Sequence, residues 1–153
     1  ILYHCNLGWP LVDEGTSIFC KGKWQSRGSE MDNQIFVEGG TYQTCSKPIE
    51  MHNGTGEACG FIEASPDAEG LCKCGLFNPN LKIAFELSFR KEQLPWLTNW
   101  QHWGKGEYVT GLEPGTNPPI GQAKAREQGN LIYLEPGECR TYDIDMEVFI
   151  KDE

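Results

Sequence analysis

Hydrophobic and polar residues alternate along two long segments of this 153-residue chain. Residues 81–90, LKIAFELSFR, place one apolar set on a single side of an extended backbone: Leu81, Ile83, Phe85, Leu87 and Phe89. Residues 140–151, RTYDIDMEVFIK, do the same with Tyr142, Ile144, Met146, Val148 and Ile150. A period of two is typical of an antiparallel strand with one buried face. Both segments are therefore predicted to be half-buried strands.

Shorter apolar segments and many turn-forming residues extend this pattern over the chain. Residues 70–77 and 129–138 are apolar and bounded by Gly and Pro, and the chain holds 18 Gly and 9 Pro. Helical patterning is limited to one short helix in residues 121–129, closed by Gly129, and one turn in residues 66–70. No repeat or linker divides residues 1–153. The chain is predicted to be one all-β domain, an antiparallel β-sandwich.

Charge and hydropathy exclude two classes of partner. The chain has 13 Lys and Arg against 22 Asp and Glu, a net charge of −9 without a basic cluster. Such a surface repels phosphate backbones, so nucleic acid is not expected as a partner. No apolar run approaches the roughly 18 residues that a membrane span needs, so no membrane partner is expected.

The cysteines favour a reducing compartment. Seven cysteines at scattered spacings form an odd set, which is typical of free thiols in a cytoplasmic protein. Cys72 and Cys74 form a C-x-C pair, but no second pair accompanies it, so zinc is not expected. No dinucleotide fingerprint or phosphate loop occurs, and no cofactor is expected.

Glu113 is the first candidate for chemistry. It lies in GLEPGTNP, residues 111–118, between a strand-like segment and a tail of turn-forming residues. A carboxylate there is either a solvated turn residue or a side chain directed into a cleft. Pro114 favours a rigid turn that would fix the direction of the carboxylate.

The three histidines show no metal-ligand spacing. His4 lies in a predicted strand, LYHCN, in which Tyr3 and Cys5 face the opposite side. It is either a hydrogen-bonded structural residue or a functional one. His52 is predicted to lie in a loop, and His102 belongs to an aromatic run.

That aromatic run, PWLTNWQHW at residues 95–103, suggests a sugar site. It brings together Trp96, Trp100 and Trp103 with the amides of Asn99 and Gln101. Indole rings stack on the C–H faces of sugars while amides bind hydroxyls. The alternative is that the tryptophans are core residues at one end of the sandwich.

Three segments together resemble a known family. They are residues 2–15, LYHCNLGWPLVDEG; residues 94–118, which end in GLEPGTNP; and residues 125–148, AREQGNLIYLEPGECRTYDIDMEV. They are similar to the C-terminal half of aldose 1-epimerase-like proteins of the galactose mutarotase superfamily. Within it they resemble a subfamily with Tyr-His-x-Asn-x-Gly and Gly-Leu-Glu-Pro motifs. The resemblance implies an antiparallel β-sandwich and a reaction that interconverts sugar anomers.

The resemblance also implies roles for particular residues. Glu113 is the general base that takes the proton of the anomeric hydroxyl, and His4 is the general acid that protonates the ring oxygen. The two groups are expected on opposite sides of a sugar ring. Asn6, Trp100 and Arg126 are the substrate-binding candidates. Relatives commonly have Gly-Arg where this chain has Gly121 and Gln122, which puts a substrate contact at that position in doubt.

The resemblance covers only a C-terminal half, so the chain is interpreted as part of a longer sandwich. It is expected to expose strand edges and core faces, to dimerise or bind a missing N-terminal half, and to have little activity alone. A monosaccharide or sugar derivative is the expected ligand. Two alternatives stay open: a non-catalytic carbohydrate-binding sandwich, and a lyase or hydrolase on a related sandwich.

Overall fold

Nine strands in two antiparallel sheets form the framework of the structure, a computed structural model that describes residues 1–151. The strands are β1 Cys5–Gly8, β2 Ser17–Cys20, β3 Gly22–Ser26, β4 Ala58–Ala64, β5 Leu71–Asn78, β6 Ile83–Arg90, β7 Trp96–Trp103, β8 Tyr108–Gly115 and β9 Ile144–Ile150. The five-stranded sheet has the order β1-β8-β7-β4-β3, and the four-stranded sheet has the order β2-β5-β6-β9. The predicted antiparallel β-sandwich is confirmed.

The hydrophobic core fills the space between the two sheets. The five-stranded sheet contributes Ile62, Leu97, Trp103 and Leu112, and the four-stranded sheet contributes Ile18, Leu76, Leu87 and Phe89. Because side chains alternate along a strand, the intervening residues of the five-stranded sheet project from its other side. We call that side the outer face. It carries residues 59 and 61 of β4, 96, 98 and 100 of β7, and 111 and 113 of β8.

Both strands predicted from alternation are present, but the burial of one differs from the prediction. Phe85, Leu87 and Phe89 of β6 are buried in the core. In β9, by contrast, Met146, Val148 and Ile150 are 57%, 68% and 77% exposed. These residues share the core-facing side of the sheet with their β6 partners. They are more exposed than their β6 partners because β9 lies at the edge of its sheet, whereas β6 lies inside it.

Two short helices and one 3₁₀ turn connect the strands. Helix α2, Gln122–Glu127, is the predicted helix, and it is followed by Gly129 with a φ of 70°. Helix α1, Glu30–Ile35, was not predicted. The expected helical turn at residues 66–70 is instead a non-helical connection between β4 and β5. Among residues 1–151, no helix is long and apolar enough to cross a membrane.

All seven cysteines are free thiols. Cys72 and Cys74 of β5 are fully buried in the core. Their alternate positions place both on the core-facing side of the sheet, so the C-x-C spacing reflects packing in a strand.

Candidate functional site

Glu113 lies within strand β8, and not in the rigid turn that Pro114 was expected to favour. β8 continues through Pro114 to Gly115, and Glu113 is opposite Thr98 of β7. Its side chain projects from the outer face, yet the residue is only 3% exposed. A carboxylate on a central strand is held more rigidly than one on a loop, because both neighbouring strands fix its backbone.

Gly111 provides the space into which the Glu113 carboxylate folds. The two residues are neighbours on the outer face, and a Cβ at Gly111 would lie 2.5 Å from Glu113 Oε1. Any larger residue would therefore displace the carboxylate. The Gly of the GLEP motif thus has a steric role, which its sequence position alone does not reveal.

His4 was predicted to lie in a strand, but it is the residue immediately before β1, and its side chain is adjacent to Glu113. The register of β1 with β8 pairs Cys5 with Leu112, and one further step puts His4 opposite Glu113. His4 Nε2 lies 2.9 Å from Glu113 Oε1, and the His4 side chain is 47% exposed. The structure therefore differs from the expectation that the two groups flank a sugar ring from opposite sides. The anomeric hydroxyl and the ring oxygen are bonded to the same carbon, so adjacent groups suit them.

The Glu113 carboxylate is short of hydrogen bonds. Oε1 is buried and accepts no hydrogen bond from any described residue, because the His4 contact is an ion-pair distance without hydrogen-bond geometry. Burial raises the pKa of Glu113, the nearby His4 lowers it, Glu57 raises it and Arg27 lowers it, and the net direction is upward. The neighbouring Thr98 Oγ1 is also buried without a partner among residues 1–151. Buried polar atoms of this kind are candidates for contact with a ligand.

A hollow of about 290 Å³ opens over this pair. Eight residues line it: Leu2, His4, Arg27, Glu57, Cys59, Trp100, Glu113 and Pro119. We call it the His4–Glu113 hollow. Its volume is close to the lower end of the range for small-molecule sites.

Trp100 forms one wall of this hollow, as the sequence analysis proposed. Its ring meets the His4 ring edge to face, with centroids 5.8 Å apart. Trp103 lies on the opposite side of β7 and is fully buried in the core. Asn99 and Gln101 also face inward, and Gln101 bonds to both Asn99 and Trp103. The predicted group of three tryptophans and two amides is therefore divided between the two faces of the strand.

Arg27 and Glu57 are residues of the hollow that the sequence analysis missed. Glu57 accepts a hydrogen bond of 2.7 Å from the indole N–H of Trp100 and pairs with Arg27 at 2.9 Å. Arg27 in turn contacts Asp32, Nε to Oδ2, at 3.2 Å. This chain of contacts fixes the Trp100 ring relative to β3 and α1. Only the tertiary fold brings these residues together, and no sequence motif joins them.

Asp32 anchors that chain of contacts from a fully buried position. It accepts hydrogen bonds from the backbone N–H groups of Ser29 and Cys59 and from Arg27. Burial alone would raise the pKa of Asp32, but the hydrogen bonds from Ser29, Cys59 and Arg27 outweigh it and lower the pKa. The Ser29 side chain caps the Asp32 N–H in return, which completes a capping box at the start of α1.

The remaining candidates from the sequence lie in different places. Asn6 pairs with Gly111 on the outer face, so it is next to the His4–Glu113 contact. Arg126 is exposed on α2 and is not among the residues that line the hollow. Its assignment as a substrate contact stays a prediction. Gln122, at the start of α2, is also exposed.

His52 and His102 form a separate pair beyond Trp100. His52 lies in the 3₁₀ turn Glu50–His52, where it is fully buried and accepts a hydrogen bond from the Trp103 N–H. This differs from the predicted loop position. His102 stacks on Trp100 with centroids 5.9 Å apart. Neither histidine lines the His4–Glu113 hollow.

Thiol and metal chemistry have little support from the described residues. Burial is the main cause that raises the pKa of Cys59, the thiol in the hollow, to about 12. The thiolate is therefore scarce at neutral pH, and Cys59 is a poor nucleophile. Within residues 1–151, no group of three or more His, Cys, Asp or Glu side chains could hold a metal ion.

Comparison with solved structures gives a strong match in fold. The chain superimposes with a TM-score of 0.85 on a Klebsiella pneumoniae protein called a "putative aldose 1-epimerase", with 24% sequence identity. The match covers 99% of this chain and 38% of that protein, so the chain spans well under half of its structural neighbour. At this identity the match establishes the fold alone. No curated protein matches the chain.

Comparison with protein families matches almost the whole chain. Residues 1–148 match the family described as a domain of unknown function (DUF4432). The match includes His4, Glu57, Trp100 and Glu113. The chain therefore belongs to the DUF4432 family and has the fold of an aldose 1-epimerase-like protein.

Proposed function

We propose that this chain belongs to a carbohydrate-active isomerase that interconverts sugar anomers in the His4–Glu113 hollow. The observation that carries the proposal is the buried Glu113 Oε1, which accepts no hydrogen bond from residues 1–151 and lies 2.9 Å from His4 Nε2 in an open hollow beside Trp100. The fold of the solved neighbour supports the same class of chemistry. The resemblance of the motifs Tyr3 to Gly8 and Gly111 to Pro114 to an aldose 1-epimerase-like subfamily also supports the proposal.

The first step needs Glu113 ionised and His4 protonated, and the His4 contact favours the ionised form of Glu113. The sugar enters with its anomeric hydroxyl at Glu113 Oε1 and its ring oxygen at His4 Nε2. Glu113 takes the hydroxyl proton while His4 donates its proton to the ring oxygen. The bond between the anomeric carbon and the ring oxygen breaks, and an open-chain aldehyde forms.

The second step reverses these transfers after a rotation. The aldehyde rotates about its bond to the next carbon and presents its other face. His4, now neutral, takes the proton from the hydroxyl that attacks, and Glu113 returns its proton to the aldehyde oxygen. Both groups end in their starting protonation states. His4 is exposed enough to move aside for the sugar, whereas Glu113 is fixed on β8.

The other polar residues around the hollow are proposed to hold the sugar. Trp100 offers an aromatic face for the C–H surface of a pyranose, and Asn6 offers an amide beside the reacting pair. The hollow has room for one ring, which suits a monosaccharide or the end of a larger sugar. The free thiols are consistent with a cytoplasmic enzyme.

Exchange spectroscopy by NMR on glucose and galactose tests the reaction. We expect accelerated exchange between α and β anomers by a polypeptide that also supplies the rest of the sandwich seen in the longer neighbour. The 153-residue chain alone is expected to bind sugar with little turnover. Glu113→Gln and His4→Gln should each lower the rate by about 10²- to 10⁴-fold, as is usual for the loss of a general acid or base.

Two controls separate catalysis from binding. Asp145→Asn removes an exposed carboxylate of β9 that lines neither this hollow nor any part of the outer face, and it should leave the rate unchanged. Sugar binding without any rate gain in the complete polypeptide would indicate a carbohydrate-binding protein and contradict the proposal. New reducing ends or unsaturated products from oligosaccharides would indicate a hydrolase or lyase.

A further inference from the structure

A second hollow of about 300 Å³ lies on the same outer face as the proposed active site. Its walls include Phe61 and Trp96, whose rings meet edge to face with centroids 6.5 Å apart. Gln25, Glu63 and Lys91 supply polar groups around these rings. We call it the Phe61–Trp96 hollow.

The polar groups of this hollow are largely unused by the protein. The indole N–H groups of Trp24, Trp100 and Trp103 all donate to protein acceptors. The Trp96 N–H, the Gln25 amide and the Glu63 carboxylate have no such partner among residues 1–151. Lys91 Nζ donates a hydrogen bond of 3.0 Å to the carbonyl of Pro95 and lines one side of the hollow. An aromatic face surrounded by free donors and acceptors is the chemistry that recognises a sugar ring.

The two hollows adjoin along shared strands. Cys59 of the first hollow and Phe61 of the second lie two residues apart on β4, which is about 7 Å along an extended strand. Trp100 and Trp96 lie four residues apart on β7, or about 13 Å. Between them on the outer face lies Thr98, whose buried hydroxyl has no partner among the described residues. The outer face of β7 thus presents indole, hydroxyl and indole in order.

From this arrangement we infer that the Phe61–Trp96 hollow is a second saccharide subsite, so that the substrate is a glycoside of at least two rings. The inference rests on the proposed function. The ring with the free anomeric hydroxyl must occupy the His4–Glu113 hollow, because only that ring can exchange anomers. The next ring then stacks on Trp96, with its hydroxyls at Gln25 and Glu63.

Indole NMR signals of the ¹⁵N-labelled chain test this inference. Galactose and lactose are the probes, and substitution to Phe assigns the Trp96 and Trp100 signals. We expect galactose to move the Trp100 signal alone and lactose to move both signals with one binding curve. Trp96→Ala should weaken lactose binding by about tenfold, the scale of one aromatic contact, and leave galactose binding unchanged.

Two further variants show whether a loss of binding comes from the lost contact or from misfolding. Gln25→Ala, at an exposed position of β3, should weaken lactose more than galactose without affecting the fold. Tyr133→Ala removes an exposed aromatic ring that lines neither hollow and should change neither affinity.

The outcomes separate the two proposals. A lactose response of Trp100 alone, or an equal loss of both affinities in Trp96→Ala, would overturn the second subsite. Response of both indoles to lactose without anomer exchange by the complete polypeptide would keep the subsite and contradict the proposed reaction. No response of either indole to either sugar would overturn both.

Discussion

Two buried carboxylates in this molecule, Asp32 and Glu113, have opposite surroundings. Asp32 accepts hydrogen bonds from Ser29, Cys59 and Arg27, and these lower its pKa although it is fully buried. Glu113 contacts the partly exposed His4, and its Oε1 accepts no hydrogen bond from any of residues 1–151. Its pKa is raised.

This difference distinguishes a structural carboxylate from one that is available for chemistry. The donors around Asp32 satisfy both of its oxygens, so it can bind nothing else and holds α1 against β4. Glu113 keeps an oxygen without a donor in a hollow open to solvent. Buried unsatisfied groups are costly, and they persist mainly where function requires them.

The largest effect is expected from Asp32→Asn. The amide loses the charge that Arg27 pairs with and directs an N–H toward donors, so the free energy of unfolding should fall by about 3 kcal/mol. Urea unfolding measures it. Asp145→Asn, at an exposed position of β9, is the control and should change stability little. A loss below about 1 kcal/mol would mean that the Asp32 contacts are not structural.

Gly111→Ala should damage the site without damaging the fold. The added Cβ lies 2.5 Å from Glu113 Oε1 and must push the carboxylate away from His4. Sugar affinity by NMR titration should fall by about tenfold or more, while the free energy of unfolding changes by less than about 1 kcal/mol.

Gly8→Ala is the matched control for that substitution. Gly8 also lies in a strand of the same sheet, but a Cβ there has no neighbour closer than 4.0 Å. Equal effects of the two substitutions on sugar affinity would show that a clash with the Glu113 carboxylate does not cause the loss.

Glu113→Gln should stabilise the protein at neutral pH. The raised pKa means that the folded chain holds the Glu113 proton more tightly than the unfolded chain does. Ionisation therefore costs stability as pH rises from the unfolded value near 4.5 through the folded pKa. The Gln variant avoids that cost and should be more stable by about 0.5–2 kcal/mol at pH 7.

The advantage of Glu113→Gln should shrink as pH falls from the folded pKa towards 4.5, and it should vanish well below 4.5, where Glu113 is protonated in both states. Urea unfolding of the two proteins at several pH values measures this change. A destabilised Glu113→Gln variant at pH 7 would place Glu113 with Asp32 among the structural carboxylates.

The smallest effect is expected from Glu57→Gln. The amide oxygen can still accept from the Trp100 indole, and only the partly exposed pair with Arg27 is lost, so stability should change by less than about 1 kcal/mol. Glu57→Ala also releases the indole. We expect the Trp100 indole proton signal to move in the Ala variant and to stay in place in the Gln variant. Movement in both would mean that charge, and not the hydrogen bond, positions the ring.

Sequence periodicity predicted the strands better than it predicted their burial. The alternation in β6 and β9 is equally clear, yet Val148 is exposed and Phe85 is buried. Burial depends on what covers a strand, and β9 lies at a sheet edge. The same limit applies to tryptophans, because Trp100 and Trp103 differ in exposure only through the parity of their positions in β7.

The candidate site was predictable where a motif carried it. The Tyr-His-x-Asn-x-Gly and Gly-Leu-Glu-Pro motifs pointed to His4 and Glu113 because they resemble a family pattern. Arg27 and Glu57 meet only after β3 pairs with β4, so no local pattern reveals them. Asp32 did leave a signal, since Ser29-x-x-Asp32 is a capping-box pattern that indicates the start of α1.

The most direct test of this contrast is a ¹³C NMR titration of the side-chain carboxyl groups of Asp32 and Glu113. We predict that Glu113 titrates above the ordinary glutamate value and Asp32 below the ordinary aspartate value. We also predict that saturating galactose changes the Glu113 titration and leaves that of Asp32 unchanged. A Glu113 titration at or below the ordinary value, unaffected by sugar, would contradict the assignment of Glu113 as a carboxylate held ready for a ligand.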